Sequence, residues 1–336
     1  MSRIKTCVSL YSLQDQYMRH KMSLEDIFGF VSENNIQGIE ILPDQMIHKA
    51  PHPDESTLQQ WDSLINKYHL TPVCDDIFLN TNLYLNRELT KKECAELIIE
   101  EIKLANRLGF RLIRLVSMVP YHIIEPVLLY AEKYDVTLAL EVHAGLGLDV
   151  PKTQEFIKEM IRINSPYIGL VMDASLFCRK LPRVMSEYCI HFGLNPKLVE
   201  YMDNIFEKNS DFRQVCLANN NTWPDEVKEL AKSDIDKFFV NFAEGYENLS
   251  YSIMDEYMPY IKHFHFKLYE MTDEGEEYSI DYKSLIQYLH DHNYDHYVST
   301  EYEGNRWVLP GHPIEEKKHV LSHQKMIHKY IKQIEG

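Results

Sequence analysis

Four residues able to bind a metal each close an apolar run. They are Glu141 in Leu-Glu-Val-His (140–143), Asp173 in Val-Met-Asp-Ala (171–174), His265 in Phe-His-Phe-Lys (264–267) and Glu301 in Ser-Thr-Glu-Tyr (299–302). Three carboxylates and one imidazole around a point suit a divalent cation that prefers oxygen, Mn²⁺ or Mg²⁺, with Co²⁺ as a further candidate. Zinc more often recruits additional His or Cys. Such an ion beside a base suits one chemistry well. It chelates a carbonyl and a neighbouring hydroxyl oxygen of a sugar, the base removes the proton on the carbon between them, and the ion stabilises the enediolate. Epimerisation, isomerisation or expulsion of a leaving group can follow.

Other residues fall in place by alternation, since positions i and i+2 of a strand share a face. His143 points the same way as Glu141, either as a proton-transfer group or as a hydrogen-bond partner of a loop. His263, His265 and Lys267 share one face between Phe264 and Phe266. Of these, His265 is the expected ligand and His263 lies deeper, as a core or supporting histidine. Lys267 either binds substrate oxygen and stabilises developing negative charge, or is a solvated rim lysine. Glu301 and Glu303 also share a face, with Glu301 the better ligand and Glu303 at the rim. Tyr11, Gln14, Glu40, Asp75, Asp76, Arg306 and His312 are weaker candidates for contact with a sugar hydroxyl.

Each apolar run reads as a buried parallel strand whose polar residue sits at the C-terminal mouth. Candidate strands are 4–10, 37–42, 70–75, 111–116, 136–141, 167–172, 262–267 and 296–301, with helical segments between them. That alternation predicts a (β/α)₈ TIM barrel, a fold that builds its chemistry at this mouth. Helix starts are legible at Ser23-Leu-Glu-Asp26 and Thr90-Lys-Lys-Glu93, which read as capping boxes. The helix after Thr90 places Ile98, Ile102 and Ala105 on one face and stops at Gly109. The stretch from Cys178 to about Ile261 is longer than one crossover needs. It reads as a helical insertion after strand six, with helices over 195–207 and 224–244. Nothing argues for a second domain, so residues 1–336 are expected to form a single barrel domain that includes the insertion.

Among the 336 residues, Asp and Glu outnumber Lys and Arg for a net charge of −16, which weighs against a nucleic-acid partner. Six scattered cysteines without C-x-x-C spacing read as reduced buried thiols of a cytoplasmic protein. Met-Ser-Arg-Ile-Lys-Thr at the N-terminus lacks the apolar core of a signal peptide, and no apolar run is long enough to span a membrane.

At the four strand ends the sequence resembles the sugar isomerase/epimerase superfamily with the xylose-isomerase-like barrel. In that superfamily Glu, Asp, His and Glu from strands five to eight hold the metal, and they correspond to Glu141, Asp173, His265 and Glu301. The chain departs from the ketose 3-epimerases in having Leu176 where they carry a His three residues after the strand-six Asp. It also has the extra base His143 and the long insertion. Val-Ser-Leu-Tyr-Ser-Leu-Gln (8–14), Gly-Ile-Glu-Ile-Leu-Pro-Asp-Gln (38–45), Glu-Val-His (141–143) and Ser-Thr-Glu-Tyr-Glu-Gly (299–304) look more like the metal-binding subunit of bacterial C-glycoside deglycosidases. That resemblance implies Mn²⁺, a smaller β-rich partner subunit, and cleavage of the carbon–carbon bond between a 3-oxo-glucosyl group and an aromatic aglycone, with His143 removing the C2 proton. The runner-up is a ketose epimerase or isomerase using the same metal.

Overall fold

The computed structural model describes residues 3–116 and 119–336, so Met1 and Ser2 of the N-terminal stretch lie outside the described residues. Among the described residues eight strands form: β1 (Lys5–Ser9), β2 (Gly38–Ile41), β3 (Thr71–Ile77), β4 (Leu112–Leu115), β5 (Thr137–Val142), β6 (Ile168–Asp173), β7 (Ile261–Leu268) and β8 (Tyr297–Tyr302). They pair in parallel in sequence order and close when β8 meets β1. The strands β2, β4 and β6 are buried along their whole length, as expected where helices cover the outside and side chains fill the inside.

Local chemistry sets the helix ends. Ser23 and Asp26 form a reciprocal capping box, as do Thr90 and Glu93. The second of these helices runs Lys91–Leu108, buries Ile98, Ile102 and Ala105, and ends on Gly109 in the left-handed region at φ 92°. Between β6 and β7 lie the helices Arg183–His191, Pro196–Glu207, Phe212–Ala218, Asp225–Leu230 and Asp234–Ala243. The continuous helix expected over 224–244 is therefore two helices. Ser233 turns out to be an N-cap, accepting from the Asp236 amide in a third capping box, so the backbone restarts there.

The connection after β8 carries a close approach. A Cβ on Gly304 would sit 2.0 Å from the Tyr269 carbonyl oxygen. Only glycine lets the turn carrying Glu303 and Arg306 lie against the segment after β7.

Candidate metal centre and active site

Glu141, Asp173, His265 and Glu301 come from the mouth ends of four consecutive strands, β5 to β8. All four are buried, and one ligand atom from each lies within 4.8 Å of the others. The Asp173 Oδ1 accepts the Ser175 amide at 2.8 Å. Its Oδ2 has no aligned hydrogen bond among the described residues, although Lys267 Nζ is 2.9 Å away. A buried oxygen left open inside an oxygen-rich donor set fits a hard divalent cation, and these four residues could hold one.

The imidazole of His265 bridges two levels. Its Nδ1 is 3.2 Å from Glu141 Oε1 and 3.0 Å from Glu301 Oε2, while Nε2 lies 3.1 Å from Glu40 Oε1. Burial works to lower its pKa, but Glu40 and Glu301 outweigh burial and hold it well above the ordinary histidine value. Burial likewise works to raise Glu301, yet Lys267 and His265 keep that carboxyl well below the usual range.

Beneath the ligands the structure corrects the expectations for Glu40 and Asp75. Glu40 is fully buried on β2, where its Oε2 meets His263 Nε2 at 2.7 Å, so both are supports under the ligands and not sugar contacts. Asp75 is on the wrong face. Strand alternation turns it outward toward Glu101 and Asp44, and burial followed by those charges pushes its carboxyl well up. The inward residue is Asp76, which pairs in register with Arg114 of β4.

Above the ligands opens a cavity of about 330 Å³ lined by Glu141, His143, Lys267, Glu301, Glu303 and Arg306, with Tyr11 and Arg114 also on its wall. His143 follows the last residue of β5, and its Nδ1 lies 2.7 Å from the Ala144 carbonyl oxygen. A carbonyl only accepts, so Nδ1 carries a proton, and in the neutral ring Nε2 is the basic nitrogen. Lys267 is not a solvated rim residue, being only 6% exposed. Burial works to lower its pKa, but Asp173 and Glu301 override that and hold it well above the usual lysine value, which makes it a cation and not a base. Glu303 lies 3.1 Å from Lys267 Nζ and 2.9 Å from Arg306 Nη2, and Arg306 donates to the Tyr11 hydroxyl at 2.8 Å. Gln14 lies outside, in a neighbouring hollow with Asp15, Met18 and Ile314, because the short helix Gln14–Met18 carries it away from the mouth. His312 is exposed and also off the cavity.

Sequence reasoning missed several parts. The loop that carries His143 is pinned from the β6–β7 side. Ser175 Oγ accepts the Ala144 amide at 3.1 Å, and Glu247 Oε1 accepts the Gly145 amide at 2.7 Å. Phe242, Gly245 and Tyr246 of the same connection wall the cavity. The buried cation Arg114 was missed too, though one signal pointed to it. A charge inside the apolar run Leu-Ile-Arg-Leu-Val must find a partner in the interior.

The xylose isomerase-like TIM barrel family matches residues 28–325, and the chain belongs to that family. Among its relatives, the 3'-dehydrocarminate deglycosidase alpha subunit of a Microbacterium species is 24% identical over 92% of this chain and 90% of its own length. A C-glycoside deglycosidase alpha subunit of Arthrobacter globiformis is 24% identical over 95% of this chain and 92% of its own. The fold also matches solved structures. An IOLI protein with a bound zinc atom has a TM-score of 0.56 at 13% identity, covering 98% of this chain and 99% of its own. An L-ribulose 3-epimerase has a TM-score of 0.54 at 10% identity, covering 99% and 96%.

Proposed function

We propose that this xylose isomerase-like barrel is the metal-holding subunit of a carbon–carbon lyase that removes 3-oxo-glucosyl groups from aromatic aglycones. The observation that carries the reading is an imidazole, His143, lining the same small cavity as Glu141 and Glu301 of the ligand cluster. The names of the 24%-identical relatives support the same class of substrate. At about 330 Å³ the cavity is at the lower end of the range for ligand sites, which suits the sugar half of such a substrate with the aglycone outside it.

Mn²⁺ held by the four residues would supply Lewis acidity where negative charge collects on two adjacent sugar oxygens. The chain's own groups do the rest. His143 Nε2 takes the proton from C2, which the C3 carbonyl acidifies. The C2–H electron pair becomes the C1–C2 double bond as the bond from C1 to the aglycone carbon breaks. That carbon then takes a proton, which offsets the one His143 removed, so the products are an enone and the free aglycone and no other reactant is consumed. Lys267, a fixed buried cation, offsets charge on the sugar oxygens, and Arg306 with Glu303 orients hydroxyls at the rim.

Residues 1–336 act as one barrel domain in this reading, insertion included. A smaller β-rich partner accords with the relatives' designation as alpha subunits. The exposed residues Phe192, Phe238 and Leu85 offer it apolar surface. A cytoplasmic setting accords with six buried free thiols. The test is to follow aglycone release from a 3-oxo-C-glucoside of a phenolic aglycone by the purified complex with Mn²⁺. Cleavage is expected, with the C3-hydroxyl glycoside inert. Epimerisation of free ketoses with no cleavage of the 3-oxo compound would favour the isomerase reading instead.

A further inference from the structure

Arg114 is a permanent cation set among the metal ligands. It projects from β4 into the barrel and is only 5% exposed. Its Nη1 donates to Glu141 Oε1 at 2.9 Å and reaches His265 Nδ1 at 3.1 Å, with Glu301 Oε1 at 3.5 Å. Its Nε is 2.8 Å from Asp76 Oδ1, off the line of a hydrogen bond. One side chain thus touches β3, β5, β7 and β8, including three of the four residues that could hold the ion. A guanidinium has no lone pair to give and does not lose its proton in a protein, so it cannot share the site as a ligand or leave it by deprotonation.

We infer that Arg114 is an internal competitor of the metal ion, a positioning residue that keeps the ligands assembled before the ion enters and weakens the ion's hold afterwards. Two cations drawn to the same carboxylates repel each other, strongly so where water is excluded. In the interior, ligand carboxylates left without any counter-charge would cost stability, and Arg114 together with Lys267 supplies that charge. Lys267 works from the opposite side, through Asp173, Glu301 and Glu303. Of the two cations, Arg114 is the one that lies against His265 Nδ1, at 3.1 Å. A site built this way stays folded without metal and exchanges its ion readily.

The inference rests on the metal reading above, and its test separates the two. Wild type, Arg114→Met and Arg114→Lys are stripped of metal, titrated with Mn²⁺ by calorimetry, and melted with and without the ion. Arg114→Met is expected to bind Mn²⁺ at least about tenfold more tightly, to melt lower than wild type when stripped, and to gain more from added Mn²⁺. Lysine keeps the charge but lacks the fork that spans Asp76 and Glu141. Arg114→Lys should therefore bind more tightly than wild type by a smaller factor, and it serves if the methionine variant fails to fold. A residue that only braces the barrel would lower melting equally with and without metal and leave affinity unchanged or reduced, and that result overturns the proposal. No Mn²⁺ binding by any of the three proteins overturns it as well, and places the failure in the metal reading.

Discussion

The two halves of the barrel contribute opposite things to one site. Strands β5 to β8 end in Glu141, Asp173, His265 and Glu301, groups that converge near the mouth and carry the oxygen and nitrogen donors. Strands β2 to β4 place Glu40, Asp76 and Arg114 against them, where each meets a residue of the other half or a neighbour in its own. One half holds the donors and the other fixes the charge around them. A ligand cluster of this density would repel itself without such support, and a support without donors would have no chemistry.

Removing a donor should do the most damage. Glu301→Gln takes a charge from the ion and from Lys267, which lies 2.6 Å away. It is expected to weaken metal binding by more than the roughly 10- to 100-fold typical when a residue behind a ligand is changed, and turnover should fall with it. Metal content after gel filtration, alongside aglycone release, checks this.

His143→Ala should separate chemistry from assembly. Its loop is fixed by Ser175 and Glu247 as well as by the ring's own bond to the Ala144 carbonyl, so fold and metal content should stay at the wild-type level. Turnover should drop by about 10²-fold or more. Equal turnover in the variant would remove His143 from the reaction.

Glu40→Gln tests the supporting half. The amide keeps the shape but loses the charge facing His263 Nε2 and His265 Nε2. Mn²⁺ affinity is expected to fall by roughly 10- to 100-fold, with the sugar-contacting rim untouched. An unchanged affinity would mean that the two halves are energetically independent.

The smallest effect on activity is expected from Asp75→Asn, outside the barrel wall. Burial raises the Asp75 carboxyl well above the ordinary aspartate range, so the folded chain holds that proton more tightly than the unfolded chain. Its contribution to stability is therefore present below the unfolded value and drains away as pH rises through the folded one. The asparagine variant should melt higher than wild type at pH 8, by a margin that narrows toward pH 4, at unchanged turnover. A lower melting temperature at pH 8 would show that the ionised carboxylate has a partner.

The donor half was legible because each ligand closes an apolar run, and a buried parallel strand can expose a polar residue only at its end. All eight strands were readable for the same reason. The supporting half was obscure because it depends on register and face. Asp75 and Asp76 are adjacent, and only the pairing of Asp76 with Arg114 across β3 and β4 decides which of them enters the barrel. Glu40 and His263 are 223 residues apart and meet through closure of the barrel, a distance no local pattern encodes. The break at Ser233 was readable in principle, since Ser-Asp-Ile-Asp (233–236) is itself a capping pattern lying within an otherwise helical stretch.

The most direct test of the central claim is a crystal grown with Mn²⁺ and measured for anomalous scattering at the manganese edge. A single strong peak among Glu141, Asp173, His265 and Glu301, about 2.0–2.4 Å from an atom of each, is the expected result. A peak seated instead among Glu40, Asp76 and His265, or no peak at saturating Mn²⁺, would contradict the assignment of donors to β5–β8 and of supports to β2–β4.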